Sequence, residues 1–444
     1  MSKTSDIDRS IFRIAMPAIV SNLTVPLLGL CDTGVTGHLG SARYVAAIAV
    51  GSMMLNLLYW SFGFLRMGTT GMTAQAFGSK DTHGTHIVFT RALLLAIAAS
   101  MFLILFQNPI SDLLMMIIGG DTSIASLAKE YFRLCIWSAP GMLGTVAITG
   151  WFIGMQDSKR PMIIAISTNI VNIAASIILV FPCGMGFIGT AVGTLIANWV
   201  SLLLALVLVK RFCGGRFPFA RLREAMDATG LRRFFKVNGE IFVRSAFIMS
   251  VSLAVTSIGA RQGELTLAAN AVAMQFFFLF SYFMDGMAFS AEALGGKSVG
   301  AHDSVGLKRV VGRLLLWCGV LAVVFTMAYG FGYRVFAGIL VPEPDLISKV
   351  DTLRLWITLI PFVSFTAFLF DGLYIGMTAT RAMMVTTAIA TCLFFGISLL
   401  LPLFLELDAN VCMWLAFLVY LAVRGLLLAA RYPREARVRT AYTS

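Results

Sequence analysis

Charged residues are scarce in this chain. Asp, Glu, Lys and Arg together make up 13% of its 444 residues, whereas hydrophobic residues make up 58%. A typical soluble domain has about 25% charged and about 45–50% apolar residues. The composition therefore excludes an ordinary soluble domain and indicates a chain that is embedded in lipid.

The residues and motifs of several catalytic classes are also missing. The sequence contains no Walker loop, no serine triad and no Gly-rich nucleotide fingerprint, so neither an ATP-driven pump nor an intramembrane enzyme is supported. Of the four histidines, His83 and His86 have no thiol or acid cluster at ligand spacing, and we expect no metal site and no cofactor. The seven cysteines are odd in number and lie mostly in apolar runs, which argues against a disulfide framework.

Long hydrophobic runs are what the chain does have. About 20 apolar residues suffice to cross a bilayer, and in lipid such runs must be helical because backbone polar groups need partners within the segment. We therefore predict an all-α membrane protein. Its twelve predicted spans cover residues 11–36, 44–77, 87–108, 131–155, 161–182, 186–209, 233–259, 267–295, 308–330, 352–377, 383–404 and 409–430.

The two halves of the chain repeat each other. Four groups of matching residues keep one constant register, which pairs Ala47 with Ala269, and six spans fall in each half. Half-length repeats are typical of secondary transporters, and an even number of spans keeps both halves parallel, related by an axis along the membrane normal. The matches are 47–50 with 269–272, 78–81 with 300–303, Arg91 with Arg313, and 150–155 with 372–377.

Basic residues predict the topology. They are concentrated before the first span, in the connector at 210–232 and in the tail, so the positive-inside rule places both termini in the cytoplasm. The net charge of +12 is then explained by topology and by anionic lipid headgroups, without a nucleic-acid partner. We predict an N-terminal lobe at 1–209, a basic cytoplasmic connector at 210–232, a C-terminal lobe at 233–432 and a cytoplasmic tail at 433–444, in a monomer.

Motifs in the first two spans resemble a known family. Ala15–Ile19 and Val25–Thr33 in span 1, and Arg66–Gly71 and Ala74–Gly78 at the end of span 2, resemble the multidrug and toxin extrusion (MATE) family, most closely its DNA-damage-inducible F branch. The resemblance extends over about residues 9–430. It implies two six-helix lobes and export of cationic drugs across the bacterial inner membrane, coupled to inward flow of H⁺ or Na⁺.

Asp32 is the first candidate for ion coupling. It stands alone in an apolar helix with no basic residue within a turn or two, and an acid in such surroundings readily takes up a proton. An idle acid at a wetted helix end is the alternative. The resemblance assigns the family's proton-linked aspartate to Asp32 and its bending proline, fifteen residues earlier, to Pro17; a static kink is the alternative for Pro17.

Polar residues on spans 5 and 6 are the second candidate group. Asn169, Asn172 and Ser176 are three and four residues apart on one face, and span 6 carries Thr194. Such stripes also serve simply to join membrane helices. The resemblance implies a hydrogen-bonded network facing Asp32. Many members of the branch have an aspartate where Ser176 stands, so this chain favours protons over a two-carboxylate Na⁺ site.

Acids in the second half form a third group. Glu240 and Arg244 are spaced i,i+4, which predicts an internally neutralised pair. The sodium-using branch of the family has acids on spans 7, 8 and 10, so Glu240, Asp285 and Asp371 are a possible cation site in this lobe. The sequence leaves both interpretations open.

The sequence as a whole favours a proton-driven exporter of cationic drugs, with H⁺ or Na⁺ as the coupling ion. The alternative is a flippase for a lipid-linked precursor, which should line its path with basic residues; the charges inside these spans lean acidic. A pore or scaffold without coupling would leave the intramembrane acids unexplained.

Overall fold

The computed structural model describes residues 2–37, 42–118, 122–340, 343–405 and 408–441. All regular structure in these ranges is helical, which confirms the predicted all-α fold. The first half contains α1 (Ser2–Gly37), α2 (Ala42–Ser61), α3 (Gly63–Gly78), α4 (Thr82–Leu105), α5 (Gln107–Ile118), α6 (Thr122–Cys135), a 3₁₀ turn (Ile136–Ser138), α7 (Ala139–Gly154), α8 (Lys159–Val180) and α9 (Gly186–Phe212).

The second half follows the same order. A short helix, α10 (Leu222–Ala225), lies in the predicted connector. It is followed by α11 (Ala228–Ala260), α12 (Glu264–Gly300), α13 (Ser304–Leu340), α14 (Pro344–Asp351), α15 (Arg354–Gly376), α16 (Thr380–Leu405) and α17 (Ala409–Thr440). Because α17 continues to Thr440, most of the predicted tail at 433–444 is helical.

Eleven helices or helix pairs in the described ranges are long and apolar enough to cross a membrane. They match the second to twelfth predicted spans, with α2 and α3 acting together as one span and α6 and α7 as another. Helix α1, which carries the first predicted span, is one uninterrupted helix through Pro17 and Pro26. The protein is therefore a multi-pass membrane protein.

The backbone repeats as the sequence does. Lys80 and His302, at equivalent positions of the two repeats, both have positive φ, at 59° and 53°. The next residue in each case caps the following helix: Asp81 accepts from the amide of Gly84 at 2.8 Å and Asp303 from that of Gly306 at 2.7 Å. The same helix–turn–helix corner is thus built twice.

Two glycines show that helix packing repeats too. A Cβ added to Gly150 would lie 2.5 Å from the carbonyl oxygen of Arg66, and one added to Gly372 would lie 2.5 Å from that of Ala288. Both the glycines and their partners occupy equivalent positions of the two repeats. Only glycine allows α7 to approach α3, and α15 to approach α12, this closely.

The chain forms two compact units whose borders cut through two helices. The first unit is Val20–Asn238, and the second is Met1–Ile19 with Gly239–Ser444. The start of α1 therefore belongs to the second unit, and the start of α11 belongs to the first. This differs from the predicted lobes at 1–209 and 233–432, because hydropathy marks where a helix lies in sequence and not which neighbours it packs against.

Specific contacts hold the start of α1 in the second unit and the start of α11 in the first. In the second unit, the Asp8 carboxylate of α1 accepts hydrogen bonds from Arg313, with Nε at 2.7 Å, and from Trp317 at 3.1 Å. In the first unit, Phe234 of α11 is 1% exposed and belongs to the core, and Arg233 donates to Gln75 at 3.2 Å. Each unit thus contains the start of the first helix of the other repeat.

Candidate polar network and buried ion cluster

The first unit contains a polar network between membrane helices. Asn169 of α8 donates from Nδ2 to Oγ1 of Thr24 on α1 at 2.8 Å. One turn further along α8, Asn172 donates to Oγ1 of Thr194 on α9 at 3.3 Å. Thr194 in turn donates to the carbonyl of Thr190 at 3.1 Å. Asn169 and Asn172 therefore link span 5 to spans 1 and 6, and a role of this stripe in ion coupling stays a prediction.

Further polar residues extend this network in directions that sequence spacing did not predict. Asn198 donates to Oγ of Ser138 at 3.3 Å, and Ser138 shares a 3.2 Å hydrogen bond with the hydroxyl of Tyr59 on α2. These contacts cross 60 and 79 residues of sequence. Because helical periodicity relates only neighbours on one helix, it could not reveal them.

Ser176 lies at a close contact between α8 and α9. It is 2% exposed, and a Cβ added to Gly193 would lie 2.5 Å from its Oγ. This close contact between α8 and α9 requires glycine at position 193.

Asp32 lies on α1, eight residues after Thr24. At 1.5 Å per residue this is about 12 Å along the helix axis. The side chain of Asp32 lies outside the described residues, so its role in coupling stays a prediction. Pro17 is half-buried on the same helix, two residues before the border between the units at Ile19.

The second unit contains a buried ion cluster around Asp371. This carboxylate on α15 accepts from Arg244 of α11, and from Arg424 of α17 at 2.6 Å. Arg424 also donates to the hydroxyl of Tyr420 at 2.9 Å. Both guanidinium groups and the carboxylate are at most 7% exposed. Burial of this kind requires charges to be paired, because unpaired ions are expensive in a low dielectric.

This cluster bears on the predicted cation site of Glu240, Asp285 and Asp371. Asp371 already has two fixed cations, so an added metal ion would have to compete with both. Glu240 accepts from the hydroxyl of Thr380 on α16, and Asp285 is half-buried on α12. The cation site stays a prediction, which the pairing of Asp371 does not favour.

Arg424 is the main residue that the sequence analysis missed. A single arginine in an apolar span indicates a buried ion pair, because an unpaired charge inside a membrane is energetically costly. The sequence analysis considered Arg244 only with Glu240, four residues away on the same helix. In the structure, Arg244 donates to Asp371, 127 residues away in sequence.

Comparison with known proteins identifies relatives along nearly the whole chain. The MatE family model matches residues 17–178 and 241–400. DNA damage-inducible protein F of Escherichia coli K12 is 34% identical over 97% of this chain and 93% of its own length. Multidrug resistance protein NorM of Vibrio cholerae is 22% identical over 67% of this chain and 66% of its own.

Solved structures agree on the fold. The Vibrio cholerae MATE transporter VcmN in its bent form superposes with a TM-score of 0.86 at 16% identity, covering 99% of both chains. The eukaryotic MATE transporter AtDTX14 gives a TM-score of 0.85 at 16% identity, over 98% of this chain and 99% of its own.

Proposed function

Because this chain belongs to the MATE family of membrane transporters, and is a transporter rather than an enzyme, we propose that it exports cationic or amphipathic compounds in exchange for protons. It acts in the bacterial inner membrane as a monomer, with both termini in the cytoplasm. Its relatives include proteins named for multidrug resistance, which supports drugs and toxins as the exported class.

The observation that carries the proton assignment is the contrast between the two units. The buried Asp371 of the second unit is neutralised by Arg244 and Arg424. In the first unit, by contrast, neutral amides and hydroxyls join α1 to α8, beginning at Thr24 and Asn169. We therefore assign proton binding to Asp32, which lies on the same helix α1 as Thr24. Drug and proton bind in alternation when each prefers a different state of the transporter.

The same ion pairs disfavour a flippase. A lipid-linked pyrophosphate would need basic side chains that are available to an anion, whereas Arg244 and Arg424 both donate to Asp371. Among the residues that the structure describes, these two intramembrane arginines are therefore already committed to a carboxylate.

Transport into proteoliposomes of purified protein tests the proposal. Ethidium uptake is measured under a pH gradient in sodium-free buffer, and separately under a Na⁺ gradient at equal pH. We expect uptake with the pH gradient alone. Uptake that requires Na⁺ and ignores pH would reject proton coupling and return attention to Glu240, Asp285 and Asp371.

A further inference from the structure

An apolar groove lies between α11 and α16 in the second unit. Its volume is about 590 Å³. Val243 and Phe247 line it from α11, and Met384 and Leu393 are the first and last of its lining residues on α16. Val243, Ile389 and Leu393 are 40%, 39% and 41% exposed, and both helices are long and apolar enough to cross a membrane. The groove therefore opens toward lipid.

The groove has the length of one membrane leaflet. Met384 and Leu393 are nine residues apart, which corresponds to about 14 Å along a helix. The hydrocarbon core of a bilayer is about 30 Å thick, so one leaflet contributes about 15 Å. All eight lining residues are hydrophobic. A groove with this length, lining and opening is suited to a single acyl chain.

The second repeat lacks the polar link that joins the equivalent helices of the first. Asn169 of α8 donates to Thr24 of α1 at 2.8 Å. In the register of the repeat, Thr391 and Ala246 stand at these two positions. The side chain of alanine can accept no hydrogen bond, so the same link cannot form between α11 and α16, and the surface between them is apolar here.

Two charges of opposite sign stand at one end of the groove. Arg381 precedes Met384 by three residues on α16, and Glu240 precedes Val243 by three residues on α11. Each therefore lies about one helical turn beyond the apolar lining, on the same side of its helix. The hydroxyl of Thr380 donates to the Glu240 carboxylate and joins the two helices at this end. In the predicted topology, this is the cytoplasmic end of both helices.

These two charges are not paired with each other. Arg381 is exposed, and it has no ion-pair partner among the residues that the structure describes. Glu240 is half-buried and accepts from a neutral hydroxyl. Arg244, the next cation along α11, donates instead to Asp371. Each charge at the end of the groove can thus take an ionic partner from outside the protein.

We propose that the groove binds a phospholipid with a zwitterionic headgroup that carries a primary ammonium group, as in phosphatidylethanolamine. The acyl chain lies between α11 and α16, the phosphate at Arg381 and the ammonium group at Glu240. A guanidinium group can bind phosphate through two parallel hydrogen bonds, and the start of α16 adds a favourable helix dipole. The ammonium group has three donors for the carboxylate.

The proposal distinguishes between the lipids of one leaflet. Phosphatidylglycerol offers a phosphate to Arg381 but no cation to Glu240, so its negative charge comes close to that carboxylate without compensation. Phosphatidylethanolamine satisfies both side chains. The bound lipid is a structural ligand of the second unit, and its site goes beyond the proposed transport of drugs and protons.

A phosphatidylethanolamine with a photoactivatable diazirine in its acyl chain tests the site. Purified full-length protein in detergent is mixed with this probe and irradiated, and peptide mass spectrometry locates the adducts. We expect them on residues 384–393 of α16. Unlabelled phosphatidylethanolamine should compete at a concentration about tenfold lower than phosphatidylglycerol with the same acyl chains, the equivalent of about 1.4 kcal/mol.

Two charge variants separate the parts of the headgroup. Glu240→Gln keeps a carbonyl oxygen for Thr380 and removes the charge, so the preference for phosphatidylethanolamine over phosphatidylglycerol should disappear. Arg381→Gln should raise the half-competing concentration of both lipids about tenfold, because both carry the phosphate. Arg309→Gln, at an exposed site on α13 outside the groove lining, is the matched control and should change neither concentration.

The apolar part of the site has a test of its own. Ala388 lines the groove, and Ala388→Phe should fill it and remove the adducts on residues 384–393. Circular dichroism and size-exclusion chromatography check that this variant is folded; if it is not, the two charge variants still decide the question.

Three results would overturn the proposal: equal competition by the two lipids in the wild type, adducts spread evenly over the membrane spans, or adducts on residues 384–393 that persist in folded Ala388→Phe. The measurement uses neither an ion gradient nor a drug. Failure of proton-driven transport would therefore reject the proposed function and leave the lipid site standing, and the reverse also holds.

Discussion

Arg91 and Arg313 occupy equivalent positions in the two repeats, and each holds the start of the other repeat's first helix. Arg313 on α13 binds the carboxylate of Asp8 on α1. Arg91 on α4 donates from Nε to the carbonyl of Ala225 at 2.8 Å, and lies against Gly230 in the first turns of α11. Asp8 and Gly230 are themselves at equivalent positions of the two repeats. The exchange of the helix starts is therefore symmetric.

The Asp8 anchor should depend on pH. The hydrogen bond from Arg313 lowers the pKa of Asp8 below its usual 3.8. When the pKa of a carboxyl group is lower in the folded than in the unfolded protein, its ionised form stabilises the fold. This stabilisation is fully present above the pKa of the unfolded state and is lost as the pH falls through the pKa of the folded state. Thermal unfolding in detergent from pH 7 to pH 3 should show a smaller decline for Asp8→Asn than for wild type. Asp6→Asn, at an exposed neighbour, is the control and should follow wild type.

Asp32→Asn should abolish drug resistance and pH-driven uptake while leaving expression and thermal stability intact. Asparagine keeps the size of the side chain and cannot exchange a proton. Resistance and immunoblots in cells, with ethidium uptake in proteoliposomes, would check this. A well-expressed variant with wild-type resistance would remove Asp32 from the mechanism.

Pro17→Ala should retain drug binding and lose export. Pro17 leaves the carbonyl of Arg13 without its helical partner, and lies two residues before the border between the units, where a change of helix direction would move one part of α1 against the other. Pro26→Ala, in the same helix but within the first unit, is the matched control and should transport normally. Full activity in Pro17→Ala would contradict a bending role.

Asp371→Asn should be strongly destabilising. It leaves the guanidinium groups of Arg244 and Arg424 buried without their carboxylate, and breaking a buried ion pair in this way costs about 3–5 kcal/mol. Adding Arg424→Gln should recover part of the loss, because the two changes act on one cluster. Unfolding in mixed detergent measures both. Asp345→Asn, at an exposed site on α14, is the control and should change the unfolding temperature little. If Na⁺ raised the unfolding temperature of the wild type, the result would favour a bound cation at Asp371.

Gly150→Ala and Gly372→Ala should both destabilise their units by about 1–3 kcal/mol, since each Cβ would overpack against a backbone carbonyl. A Cβ added to Gly396 would have no neighbouring atom within 4 Å, so Gly396→Ala is the matched control. It should be neutral or stabilising, because alanine favours helix by about 1 kcal/mol over glycine. Equal effects at all three positions would show that the close helix contacts are not what glycine serves.

Local patterns predicted the helices and the repeat well. Hydrophobic runs located α4, α8 and α9 because a lipid environment leaves the backbone no alternative to helix. The spacing of Asn169 and Asn172 placed them on one face, and the structure finds both bonded to neighbouring helices.

Partners across the bundle could not be predicted in the same way. Asp371 meets Arg424 across 53 residues and Arg244 across 127. The sequence shows that each of these residues places a charge inside a membrane span, but it does not show which opposite charge each one pairs with. Nor does hydropathy distinguish a helix that packs within its own repeat from one that packs within the other, which is why the place of Asp8 in the second unit was not foreseen.

The exchanged helix starts also bear on how such a chain could arise. A free-standing half, with six spans, would lack the segment that fills its own core: the Val20–Asn238 unit needs Phe234, and the other unit needs Ile11, which is 0% exposed. Two copies of one half could supply these segments to each other, as in domain swapping. An ancestor with this arrangement would have been an obligate homodimer, and gene fusion would have turned an association between molecules into one within a single chain.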